Sequence, residues 1–248
     1  MKPLLSRSIL KQNFRSNWLL WLVLTAILAL NMFSMPMIDL PEDIAGVTFM
    51  QLFVNVIFEG VGMILMLVWV IIVGNKLVCA EVDRGTMSFT LNTPITRSQL
   101  ILSKALFFIL STTSIIVIGT AFASMSVAIF DANVDLGRLW LLAFTFILFI
   151  MATAGITFFA SCWFNRTSYS LSVGAGLPLM FYVLSTLANL ENFGFLRFLS
   201  LNTLFPADYI AMGEPLSNFV GQLVALSVIA LGLFAGGIYK FTHKDLPL

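Results

Sequence analysis

The chain has 248 residues, of which 59% are hydrophobic and only 10% charged, and its mean hydropathy is +0.99. Soluble domains carry about 25% charged and about 45–50% apolar residues, so a soluble enzyme, a nucleic-acid binder and a disordered chain are all excluded. Thirteen Lys and Arg against twelve Asp and Glu leave a net charge of +1, so bulk charge names no anionic partner.

A membrane span needs about 20 apolar residues. The length therefore accommodates six spans with short connections, as a single transmembrane domain over residues 1–248. At the N-terminus Leu4, Leu5, Ile9, Leu10 and Phe14 recur at helical spacing, with Arg7, Lys11 and Arg15 on another face. This pattern predicts an amphipathic interfacial helix over residues 1–16, its basic side toward anionic lipid. The first apolar run, 17–38, exceeds the about 7–15 residues of a signal-peptide core, and no small-x-small cleavage site follows it. It reads as a retained span.

Further apolar runs cover 61–78, 105–130, 139–164, 170–190 and 219–239, and the second can begin as early as residue 49. In hydrocarbon each backbone group must be paired within its own segment, so each run reads as a helix. The fold class is all-α integral membrane protein with six transmembrane helices. Lys2, Arg7, Lys11, Arg15, Lys76, Arg84, Arg97, Lys104, Arg166, Lys240 and Lys244 fall on one side, and only Arg138 and Arg197 on the other. Asp39, Glu42, Asp43, Asp131, Asp135, Glu191, Asp208 and Glu214 join those two. The positive-inside rule then places both termini in the cytoplasm.

Two connections depart from short loops. Residues 191–218 are long but apolar, rich in Phe and Leu and interrupted by Gly194, Pro206 and Pro215. Short helices half-inserted from the outer face, as a re-entrant segment, fit better than a solvated loop. Residues 75–104 are charged. Span two is expected to run on as a helix to about Arg84, where Gly85 supplies a left-handed ending. Pro94 breaks the short apolar piece that follows, and Thr96 can cap the helix leading into span three.

Catalytic constellations are scarce. His243 is the sole histidine, which removes a Ser–His triad and an H-E-x-x-H zinc site, and no P-loop motif occurs. Cys79 and Cys162 read as space-filling thiols on the cytoplasmic side. Gly232 and Gly236 form a G-x-x-x-G, which is common in membrane helices. Glu59 is the one acid inside or at the edge of an apolar stretch. An acid at mid-bilayer costs about 2.5–3.5 kcal/mol, so it either faces a pathway, as a secondary carrier would require, or sits at the outer interface.

The pattern E-x-x-x-G-T, then L-x-T-P-I-x-R, then a Lys before the next span resembles the type-2 ABC exporter permeases. Here it is carried by Glu81, Gly85, Thr86, Leu91, Thr93, Pro94, Arg97 and Lys104. The six-span layout agrees, and the short compact form is most similar to permeases that export amphipathic peptides of phenol-soluble modulin or bacteriocin type. The resemblance implies a non-catalytic subunit of the bacterial plasma membrane whose residues 75–104 form a coupling helix docked on a separate ABC ATPase. It carries contact roles to Glu81, Arg84, Gly85, Thr86, Pro94 and Arg97. It also implies two ATPase copies, which bind the ATP and Mg, and a second permease copy or paralogue, with no cofactor on this chain. A toxin or antimicrobial peptide is the expected cargo. A drug or lipid exporter of the same family, or a carrier using Glu59, is the alternative.

Overall fold

The computed structural model describes residues 6–37, 49–87, 95–130, 134–188 and 193–244. Among them six helical segments are long and apolar enough to cross a membrane: Arg7–Met37, Phe49–Asp83, Arg97–Ile129, Leu136–Trp163, Thr167–Ala188 and Val220–His243. Every described regular element is helical. Leu4, Leu5, Asp39, Glu42, Asp43, Leu91, Thr93, Pro94, Asp131 and Glu191 lie outside the described residues.

Span one is helix α1 (Arg7–Ser34), uninterrupted because no glycine or proline occurs within it; Pro36 follows its end. Of the interfacial helix expected over residues 1–16, the described part is continuous with span one. From Arg7 onward the segment is the start of α1, and the Ser6 N–H donates to Ser103 Oγ at 3.0 Å, tying it to span three. Arg7, Lys11 and Arg15 remain on one exposed face, opposite buried Ile9, Asn13 and Asn17.

Span two is composite. It contains α2 (Phe49–Phe53), a π-helix (Val54–Val61), α3 (Gly62–Leu77) and α4 (Cys79–Asp83). The expected run to about Arg84 is present in extent but broken at Val78, whose φ of −126° and ψ of −66° are not helical. Span three is α5 (Arg97–Ile129). The expected Thr96 cap is a full capping box, Thr96 Oγ1 accepting from Gln99 N at 3.2 Å and Gln99 Oε1 from Thr96 N at 3.1 Å. Span four is α6 (Leu136–Trp163), whose first turn is capped by Asp135. Span five divides into α7 (Thr167–Gly174) and α8 (Gly176–Ala188). Short 3₁₀ turns and α9 (Ala207–Ala211) form the connection to α10 (Val220–His243), which is span six.

Spans one and three run parallel, with Trp21 Nε1 donating to Ser114 Oγ and Ser126 Oγ to the Phe33 carbonyl. Span four is the centre of the bundle and packs on spans two, three, five and six. Its Thr153, Thr157 and Ser161 are each 1% exposed and, four residues apart, line one face. Gly74 lets span two close on that face, since a Cβ there would stand 2.7 Å from Thr157 Cγ2. Gly236 meets Phe159 of span four, whereas a Cβ at Gly232 would meet open space, so only one of the paired glycines serves close packing.

Hydrogen bonds gather Lys76, Arg97 and Lys244 at one end of the bundle. Lys76 Nζ donates to Ser16 O at 2.9 Å and Asn17 Oδ1 at 3.0 Å. Arg97 Nη1 donates to Lys244 O at 3.0 Å, and Lys244 Nζ to the Cys162 and Trp163 carbonyls that end span four. We call this the basic end, and the opposite one the acidic end.

Candidate functional site

The segment expected to couple, residues 75–104, contains the Val78 break. In an unbroken helix the Cys79 N–H would donate to the Asn75 carbonyl, four residues back. Instead it donates to Ser161 Oγ at 2.9 Å, and that hydroxyl donates onward to Asn75 O at 3.4 Å. One span-four side chain thus bridges the gap in the span-two ladder, a recognised way of holding a kink. The Leu77 carbonyl is freed by the same break, because Glu81 N–H turns to Val78 O at 3.1 Å. Lys104 Nζ from span three takes that carbonyl and stands 2.6 Å from Glu81 Oε2.

Beyond α4 the predicted ending is present. Gly85 has φ +70°, its N–H donates to Val82 O at 3.0 Å, and a Cβ there would meet nothing within 4 Å. Arg84, Gly85 and Thr86 are exposed, and Thr86 Oγ1 donates back to Glu81 O at 3.2 Å. Met87, next in sequence, is fully buried and anchors the turn to the bundle. Arg97 is exposed at the far side of the segment, and Pro94 lies outside the described residues.

The segment is fastened laterally as well. Asp83 Oδ2 accepts from Thr167 N at 3.1 Å, joining α4 to the start of span five. Cys79 Sγ donates to Phe164 O at 3.4 Å; Cys79 and Cys162 are both buried free thiols. Lys240 Nζ sits 4.3 Å from the centre of the Trp163 ring. Burial against the end of span four pushes the Lys244 ammonium below its ordinary value.

At the acidic end Glu59 lies on the π-helix and is exposed. It lines a cavity of about 440 Å³ with Ser185, Asn202, Phe205, Asp208, Met212 and Gln222, drawn from spans five and six and the connection between them. That connection is made of short helices, as its composition predicted. Phe205 inserts between Phe146 and Phe149, each 5.6 Å away between ring centres. Among the described residues no group of three or more His, Cys, Asp or Glu is placed to hold a metal ion.

Glu81 and Lys104 are brought together, while Arg7, Lys11 and Arg15 form a separate exposed stripe and Glu59 lies at the opposite end. Sequence reasoning missed Ser161, Thr157, Lys76 and Lys244 as organisers. A Thr-x-x-x-Thr-x-x-x-Ser stripe in an apolar helix was the available signal for the first two.

The family profile described as ABC-2 family transporter protein matches residues 11–246. No curated protein sequence matches significantly. A match over nearly the whole of a six-span helical chain settles the family, and with it the general role and the need for a partner ATPase: the chain belongs to the ABC-2 transporters, as a multi-pass membrane permease subunit.

Proposed function

We propose that this permease belongs to an ATP-driven exporter of the bacterial plasma membrane and couples to its ATPase through residues 75–104, with both termini in the cytoplasm. The observation that carries the reading is the exposed Arg84–Gly85–Thr86 turn, held in shape by the left-handed Gly85 and fixed to the bundle by Met87. An exposed charged turn at the basic end, with Met87 buried beside it, suits a groove on a soluble ATPase. Arg97 flanks it and Pro94 completes it by the family resemblance. Two ATPase copies bind the ATP and Mg. Two copies of this chain, or one with a paralogue, surround the path.

The stripe of Arg7, Lys11 and Arg15 suits anionic headgroups of the inner leaflet. The proposed cargo is amphipathic, a toxin or antimicrobial peptide. In support, the acidic-end cavity mixes Glu59, Asn202 and Asp208 with Phe205 and Met212, and Glu59 is assigned to the pathway there.

Three experiments test the reading. Glu191→Cys should be labelled by an impermeant maleimide on intact cells and Arg97→Cys should not; the native thiols, both buried, give little background. The reverse pattern would overturn the orientation. Gly85→Val forces a β-branched residue to positive φ, and Arg97→Glu reverses a charge at the docking surface. Both variants should insert normally yet lose co-purification with the ATPase, or keep it without stimulated hydrolysis. Parent behaviour in both would reduce the segment to a solvated hairpin. For the cargo, cationic amphipathic peptides should stimulate ATPase activity of the reconstituted complex, and stimulation by lipophilic drugs alone would replace the peptide reading.

A further inference from the structure

The break at Val78 lies between the membrane part of span two and the proposed docking turn, so whatever holds it decides where force from the ATPase goes. A continuous helix would pass a push on α4 straight into α3. Here the ladder is open, and its freed backbone groups belong to other spans: Asn75 O and Cys79 N–H to Ser161 of span four, Leu77 O to Lys104 of span three. Both side chains are almost completely buried, Ser161 at 1% and Lys104 at 2% exposed. Lys104 also grips α4 directly through Glu81 at 2.6 Å. An ammonium buried to this extent persists only where carbonyl and carboxylate oxygens replace its water. The Asp83 bond to Thr167 N adds a link from α4 to span five, but that pair is exposed and dispensable in comparison.

Resting on the coupling reading given above, we propose that Ser161 and Lys104 are positioning residues for coupling: they bridge a hinge at Leu77–Val78 so that the docking turn moves with spans three and four, and span two pivots against it. Glu81 accordingly acts inward, as the handle by which Lys104 holds α4.

The test uses the full chain in complex with its ATPase subunit in lipid nanodiscs. It records three quantities: yield of the complex, ATPase rate, and backbone hydrogen exchange with and without ATP plus vanadate. The docking turn is untouched by Ser161→Ala, so the complex should form at parent yield. Exchange over residues 78–82 should rise about fivefold, the effect of one lost hydrogen bond. The response that separates positioning from mere stability is the nucleotide-dependent change in exchange at the basic ends of spans three and four. In Ser161→Ala it should vanish, and Ser161→Thr, which keeps the hydroxyl, should restore it. Glu81→Gln keeps the shape of the side chain but removes the charge facing Lys104, and should weaken the same response in whatever complex forms. It serves also if Ser161→Ala fails to fold. A parent-like nucleotide response in a folded Ser161→Ala or in Glu81→Gln overturns the hinge. Failure of the parent chain itself to bind any ATPase would instead overturn the coupling reading on which the hinge rests.

Discussion

Span two departs from regular helix at both ends, and the two departures are held by opposite kinds of chemistry. At the acidic end an eight-residue π-helix, Val54–Val61, carries the irregularity within its own ladder, and Gly62 N–H reaches back to Ile57 O. Gly60 takes the non-helical φ of −96° and ψ of −111°. Around it the packing is aromatic: Phe58 is fully buried, 5.2 Å from Phe146 in an edge-on pair and 5.9 Å from Phe53. At the basic end the ladder is open, and hydroxyl and ammonium groups from neighbouring spans close it. A self-satisfied bulge is set by local backbone and packing. A break closed by other helices ties its own geometry to theirs, which is what a moving joint needs and a static bend does not.

If the acidic-end bend is a packing feature, Phe58→Ala should be the most damaging change. Lipid tails rather than water surround the separated helices, so the cost should be about 3 kcal/mol, at the low end for a buried Phe→Ala. Thermal unfolding in detergent reads it, and a parent midpoint would show the aromatic cluster to be incidental. Next comes Gly62→Ala, whose Cβ would collide with the Ile57 carbonyl oxygen within the same helix. A backbone atom cannot yield as a side chain does, so the bulge must rearrange at a cost of about 2 kcal/mol. Unchanged exchange protection at residues 57–62 would mean that the π-helix is not rigidly held. The smallest effect is expected at a third break, where Pro178 has no N–H to offer the Gly174 carbonyl and Thr157 Oγ1 supplies it at 3.0 Å. Thr157→Val should cost only about 0.6 kcal/mol, the usual worth of an interhelical bond in a membrane. Unlike Ser161→Ala, it should leave the nucleotide response of spans three and four intact. Loss of that response would extend the joint to span five.

The apolar runs met the acidic ends of five spans to within a few residues, and that of span two only by the earlier of its two allowed starts, residue 49 rather than 61, because in hydrocarbon the backbone has no alternative to helix. They fell short at the basic ends, where α1 begins at Arg7 and span three at Arg97. Polar residues there carry no hydropathy signal, and it is packing against neighbours, as between Ser6 and Ser103, that keeps them in regular structure. Gly85 and Thr96 were readable as a helix ending and a helix cap because both depend on one residue and its near neighbours along the chain.

What the sequence by itself determined is therefore the class of molecule, the number of spans, the asymmetry of charge and the local signals, Gly85 and Thr96, within residues 75–104. Only the tertiary structure decided that span two breaks at Val78 rather than continuing, that Glu81 turns toward Lys104, and that Ser161 and Thr157 on one helix complete the ladders of two others. Val78 is an ordinary strand-or-helix residue with no breaker beside it. The break is stable because groups more than twenty residues away in sequence satisfy the backbone it frees, and no local pattern records such a partnership.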